Sequence, residues 1–217
     1  MVSEECAGEQ LGWLLVSVST AGAPASTRVL VWRRLRGLGA VYLQQSVSLL
    51  PDLPAVRQSL AQLLGRVRAE GGTARLLHVR LTDADERRAL VADFQQAADK
   101  EYDDLLGRVP SFLAELESER SRGRASFVEV EESEADLARF RSWLTKIAAR
   151  DYFEAPLGER ARAALDRCAT ELEAFEREAF AAENTPLSVP PAAPPASALA
   201  ATARPDPPRA NPAGGRT

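Results

Sequence analysis

The sequence is poor in the residues from which reactive centres are built. It holds one histidine, His78, and two cysteines, Cys6 and Cys168, in 217 residues. No CxxC pair exists, which excludes a zinc ribbon, and two thiols this far apart read as reduced rather than as a disulfide. No metal ligands cluster near His78, so it reads as a packing or surface residue. There is no Gly-rich phosphate loop, no G-x-S-x-G elbow and no histidine placed to complete a Ser-His-Asp site. An enzyme is therefore not expected, nor a cofactor or a metal. Long hydrophobic runs are missing too: no stretch approaches the roughly 20 apolar residues that span a bilayer. Residues 1–10 are acidic and polar, the opposite of a signal peptide, which leads to the expectation of a cytoplasmic protein without a membrane partner. Lysine occurs only as Lys100 and Lys146, so arginine supplies nearly all the positive charge.

What is present is a globular composition, 45% hydrophobic, with a net charge of −4. An acidic balance argues against wholesale coating of nucleic acid but leaves room for a local basic patch. The patch is easily located. Residues 26–40 read as one amphipathic helix holding Arg28, Arg33, Arg34 and Arg36 and no acid. Ser26 is placed to cap it and Gly39 to end it. On a helical wheel Val31, Trp32, Leu35 and Leu38 form the apolar face, with Arg33 and Arg36 opposite and Arg34 on the flank. Arg28 lies near the apolar stripe and reads as a structural ion-pair partner.

Around this helix the pattern is regular. Trp13–Ser19 suits a buried strand. Val41–Gln44 and Val47–Leu50 suit a hairpin turning at Gln45-Ser46. Residues 54–70 carry a helical stripe of Val56, Leu60, Leu63, Leu64 and Val67, with Pro54 in its first turn, and Thr73–Leu81 alternates as a strand. The fold class is α+β: residues 11–82 give a ferredoxin-like βαββαβ antiparallel sheet. Residues 83–183 form a mostly helical extension of the same domain. Asp83 and Glu86 start its first helix, Pro110 interrupts, and Phe127–Val130 reads as a further short strand. Ser133 with Asp136 starts a helix over 137–150, and a last helix over 159–182 completes an αα-hairpin. Residues 1–10 and the Pro/Ala-rich 184–217 read as disordered. The acidic residues Glu129–Asp136 and Asp99–Asp104 read as capping and solvated faces.

Several ordered motifs carry a family resemblance. They are Trp13-Leu-Leu-Val, Arg28-x-x-x-Trp32-Arg-Arg-Leu-x-x-Leu-Gly-Ala, Val47-x-Leu-Leu-Pro51, Asp99-Lys-Glu-Tyr102, Phe127-x-Glu-Val-Glu-Glu, Trp143-Leu-x-Lys-Ile, Arg150-Asp-Tyr-Phe-Glu-Ala-Pro156, and Cys168 with Glu171. Together, over roughly residues 11–183, the chain resembles the N-terminal domain of the chromate resistance regulator ChrB. Its first half is also similar to the middle domain of PaaX-type repressors, related to a CRISPR-adaptation nuclease. The resemblance implies a chromate-responsive, DNA-binding regulator of a chromate efflux operon. Where such regulators continue into a chromate-response domain, this chain has its Pro/Ala tail, so that domain is expected to be lacking, as is the winged helix of PaaX-type proteins. The related nuclease keeps an aspartate at the end of its first strand, where Ser17-Val-Ser-Thr20 stands here. On this footing Arg33, Arg34 and Arg36 are the expected contacts to double-stranded DNA, since guanidinium forks match phosphate oxygens. The plainer reading is a solvated face whose arginines pair with nearby acids. A homodimer or a separate sensor protein is the other expected partner.

Overall fold

The computed structural model describes residues 12–123 and 126–183; Cys6 and both termini read as disordered lie outside them. The elements run β1 Trp13–Ser19, α1 Ala25–Gly37, β2 Val41–Gln44, β3 Val47–Pro51, α2 Pro54–Ala69, β4 Thr73–Val79, α3 Ala84–Leu106, α4 Val109–Ser121, α5 Phe127–Ala148 and α6 Leu157–Glu183. The protein is α+β, with a four-stranded antiparallel sheet in the order β2-β3-β1-β4. Strand alternation sorts the side chains. Leu14, Val16, Val18 and Leu50 face α1 and α2, packing on the predicted stripe Val56, Leu60, Leu63, Leu64 and Val67. Trp13 and Leu49 face the other way, against Leu90 and Phe94 of α3. Each such fully buried side chain contributes roughly 1.5–3 kcal/mol.

The helix α3 belongs to both halves of the molecule. Its first turns cover the sheet, and its later residues Ala98, Tyr102 and Leu105 enter a second core shared by α4, α5 and α6. There Phe175, Cys168, Leu172 and Ile147 are fully buried or nearly so. Burial pushes the Cys168 thiol up, as suits an inert packing residue.

Three expectations are corrected. The segment Phe127–Val130 is not a strand but the first turn of α5, which starts at the Ser126 cap and not at Ser133. Two valines two residues apart mimic strand alternation; on the helix they part, Val128 exposed and Val130 buried two turns before the buried Leu137. Ser26 lies inside α1, whose N-cap position is Pro24. His78, opposite Leu14 on the edge strand β4, is exposed, with its Nδ1 3.0 Å from an Asp52 carboxylate oxygen. Asp99 and Glu101 are not merely solvated.

Those two acids belong to a joint between the halves. The Leu157 N–H, an orphan donor at the start of α6, donates to Asp99 Oδ1 at 2.8 Å. Arg150 pairs with Glu101 and also donates to the Lys146 carbonyl. The Tyr102 hydroxyl donates to Asp151 at 3.1 Å, while the Ala155 N–H donates to the same carboxylate. Phe153 stacks on Trp13 at 5.6 Å and also meets Phe94. Thus Asp99–Tyr102 and Arg150–Pro156, two separate motifs in the chain, form one hydrogen-bonded and aromatic clasp.

Candidate nucleic-acid interface

The clasp reaches α1. Tyr152 donates its hydroxyl to the Leu38 carbonyl at 2.7 Å, across 114 positions of sequence. Leu38 is the C-cap of α1. Gly39 follows with φ +67, donating to Arg36, while Ala40 donates to Leu35, which closes the helix as a Schellman turn. A Cβ on Gly39 would come within 3.1 Å of Arg150, so both the left-handed backbone and the close approach require glycine. At the other end the buried Thr27 donates its hydroxyl to the Glu70 carboxylate at the end of α2. Hydrogen bonds from Thr27 and then Arg66 hold the Glu70 carboxyl below its usual value. The helix is therefore fixed at both ends.

Between these ties the packed stripe is Thr27, Val31 and Leu35, at intervals of four, with Leu30 and Leu38 half-buried. Trp32 is not part of it: it is 50% exposed, which corrects the expected apolar face. The packed stripe instead includes Thr27, whose hydroxyl is satisfied by Glu70. Trp32 lies instead beside residues one turn away, and the Arg36 guanidinium sits over its ring at 5.3 Å.

Arg33, Arg34 and Arg36 are all exposed, on the one helix. Among the described residues none of them has a carboxylate within ion-pair reach. Arg28 lacks one too; its Nε donates to the Thr20 hydroxyl at 3.4 Å, so the expected structural ion pair is not formed. Unpaired arginines occur elsewhere, Arg75 and Arg141 among them. What sets α1 apart is four of them on a helix that carries no acid. Arg34 and Arg36, in its last turn, also complement the helix dipole.

A groove flanks the helix on each side. Towards α2, a cleft of about 310 Å³ is lined by Arg33, Arg34, Ser59, Gln62 and Arg66 over Leu30 and Leu63. Towards the strand ends lies a broader groove of about 940 Å³ that includes Arg28, Val29, Trp32, Arg33 and Tyr42. Arg33 stands on the crest and lines both, and among the described residues no acidic side chain lines either. Sequence reasoning found the arginines and missed Arg66, Gln62 and Tyr152. The first two sit a groove away on the polar flank of α2. Tyr152 was visible only as an aromatic pair in a linker.

Elsewhere, no group of three His, Cys, Asp or Glu side chains among the described residues could hold a metal ion. Among those residues, no helix is long and apolar enough to cross a membrane.

Comparison with known proteins agrees with the motifs. The chain is 32% identical over 112 residues to Protein ChrB of Cupriavidus metallidurans (strain ATCC 43123 / DSM 2839 / NBRC 102507 / CH34), an alignment covering 52% of this chain. The matched stretch spans 32% of that relative's length. The family described as "Protein ChrB, N-terminal" matches over residues 28–186, which include the arginine helix, the clasp and α6, and the chain belongs to that family.

Proposed function

We propose that this chain is a ChrB-type regulatory module associated with chromate resistance, which contacts double-stranded DNA through Arg33, Arg34 and Arg36. It acts in the cytoplasm, without enzymatic chemistry, as a homodimer or beside a separate sensor protein. We read its βαββαβ order as ferredoxin-like and α5–α6 as an αα-hairpin. The observation that carries the DNA reading is the cluster itself: three exposed guanidinium groups without a carboxylate partner on one acid-free helix, while Arg66 across the groove is paired with Glu70. Donors left without protein partners are available to phosphate, and each phosphate they neutralise releases condensed counterions.

The test is a titration of duplex DNA at several salt concentrations. Steep salt dependence is expected. Replacing Arg33, Arg34 and Arg36 by alanine should weaken binding and lower the log–log salt slope by about 0.9 for each phosphate that is no longer neutralised. Absence of duplex binding at low salt would sink the reading.

A second reading, a non-enzymatic dimerisation module, is favoured by the two edge strands. Leu43 on β2 and Leu77 on β4 are each half exposed. Unpaired strand edges with apolar side chains are templates for association. Sedimentation should then show a dimer that Leu77→Glu or Leu43→Glu dissociates; a wild-type monomer at high concentration refutes it.

A further inference from the structure

The broad groove beside α1 differs in chemistry from the cleft on the α2 side. The cleft offers arginines and amide or hydroxyl groups. The broad groove offers arginines together with two large, partly exposed aromatic rings, Trp32 and Tyr42. We propose that this groove takes single-stranded DNA, with phosphates held by Arg28 and Arg33 and an unpaired base stacked against Trp32. The proposal rests on the nucleic-acid reading above and adds a second, strand-state-specific contact to it.

Three observations lead to this occupant. Among the described residues the lining holds two arginines and no acid, so an anionic partner is complementary. Trp32 is 50% exposed, although an indole of that size is usually covered, and it lies in the groove wall. Arg36 already lies over the ring at 5.3 Å, which keeps the indole oriented and leaves guanidinium donors for phosphate. Phosphate and aromatic surface side by side match a strand whose bases are free. In a duplex the base faces are stacked on one another and no ring is available to an indole; unpaired bases stack on aromatic side chains whatever their sequence. An acidic peptide would satisfy the arginines but leave the rings without a counterpart.

The experiment measures anisotropy of labelled oligo(dT) and of a labelled duplex, with the full chain, in wild type, Trp32→Ala, Trp32→Phe and Tyr42→Ala. Wild type is expected to bind both probes. Trp32→Ala should lower the oligo(dT)-to-duplex affinity ratio by about 5- to 150-fold, the loss of one base–aromatic stack. Trp32→Phe should recover most of that ratio, and Tyr42→Ala should lower it less. An unchanged thermal melt in Trp32→Ala, an exposed site, separates these losses from misfolding. Duplex binding without oligo(dT) binding overturns this proposal and leaves the duplex reading standing. Binding of neither probe overturns both. A ratio unmoved by Trp32→Ala, or oligo(dT) displaced equally well by poly-glutamate at matched charge, reduces the groove to an unspecific anion patch and overturns the stacking claim.

Discussion

Arg120 and Arg33 are the same residue put to opposite uses in the two halves of the molecule. Arg120, at the end of α4, is largely buried and fully engaged. Its guanidinium meets Glu171 at 3.2 Å and Glu178 at 3.0 Å on α6, and it donates to the Glu171 main-chain carbonyl at 3.0 Å. Desolvation works against its charge, but the two glutamates outweigh it and the proton is held more tightly than usual. Arg150 is similarly covered by Glu101 and the Lys146 carbonyl. Arg33, by contrast, stands on a crest between two grooves with no acid beside it among the described residues. An arginine's role here is decided by which element faces it: α4 faces a glutamate-bearing helix, whereas α1 faces an arginine-bearing one and open groove.

The contrast breaks most sharply under substitution. Arg120→Ala removes charge-assisted hydrogen bonds and leaves Glu171 and Glu178 without their shared cation, so it should cost about 2 kcal/mol. Single changes at Arg33, Arg34 or Arg36 to alanine should each stay within about 0.5 kcal/mol, as exposed sites do. Urea unfolding of the four variants measures this directly. Comparable losses at Arg33 and Arg120 would mean that the α1 arginines are structural, and the duplex reading would lose its main support.

A second handle is the clasp. Tyr102 is fully buried, and burial, then the Asp151 charge and hydrogen bond, push its phenol up to about 12. Because the folded value exceeds the unfolded one, near 10, this contribution to stability is complete below pH 10 and lost as pH rises towards 12. Tyr102→Phe should cost about 1 kcal/mol at neutral pH from the missing hydrogen bond. It should also flatten the decline in stability above pH 10. A variant with the same alkaline decline as wild type would place the titration elsewhere.

The legibility of the chain follows the range of the interactions. The apolar run Trp13–Ser19 and the stripe Val56–Val67 are local patterns, and both appear in the structure as read, as a central strand and a packed helix face. The arginine cluster is local too. The misreadings arise where a distant residue decides. Thr27 can be buried on the packed face of α1 because Glu70, 43 positions away, accepts its hydroxyl. Asp99 and Glu101 look like solvent-facing acids until Leu157 and Arg150 arrive. Tyr152 belongs to a linker by sequence and to the end of α1 by its hydrogen bond. Amphipathic periodicity reports which side of a helix is wet on average. It does not report which polar group is answered across the fold.

That tie between Thr27 and Glu70 gives the smallest expected effect and the finest test of how firmly α1 is held. Thr27→Val keeps the buried volume and removes the donor. Glu70 is the acceptor, and its carboxyl sits below the usual glutamate value because Thr27, then Arg66, stabilise the ionised form. A depressed value stabilises the fold above the ordinary glutamate range, and the contribution is lost as pH falls through the folded value. The wild type should therefore exceed Thr27→Val slightly in stability at neutral pH, and the gap should close in acid. Amide exchange should quicken in the first turn of α1 in the variant, while the Schellman turn at Gly39, anchored by Tyr152, keeps its protection. Uniform quickening along the whole helix would show that α1 is not held independently at its two ends. The arginines would then be displayed on an element that opens as a unit, and not on one fixed between the sheet half and the clasp.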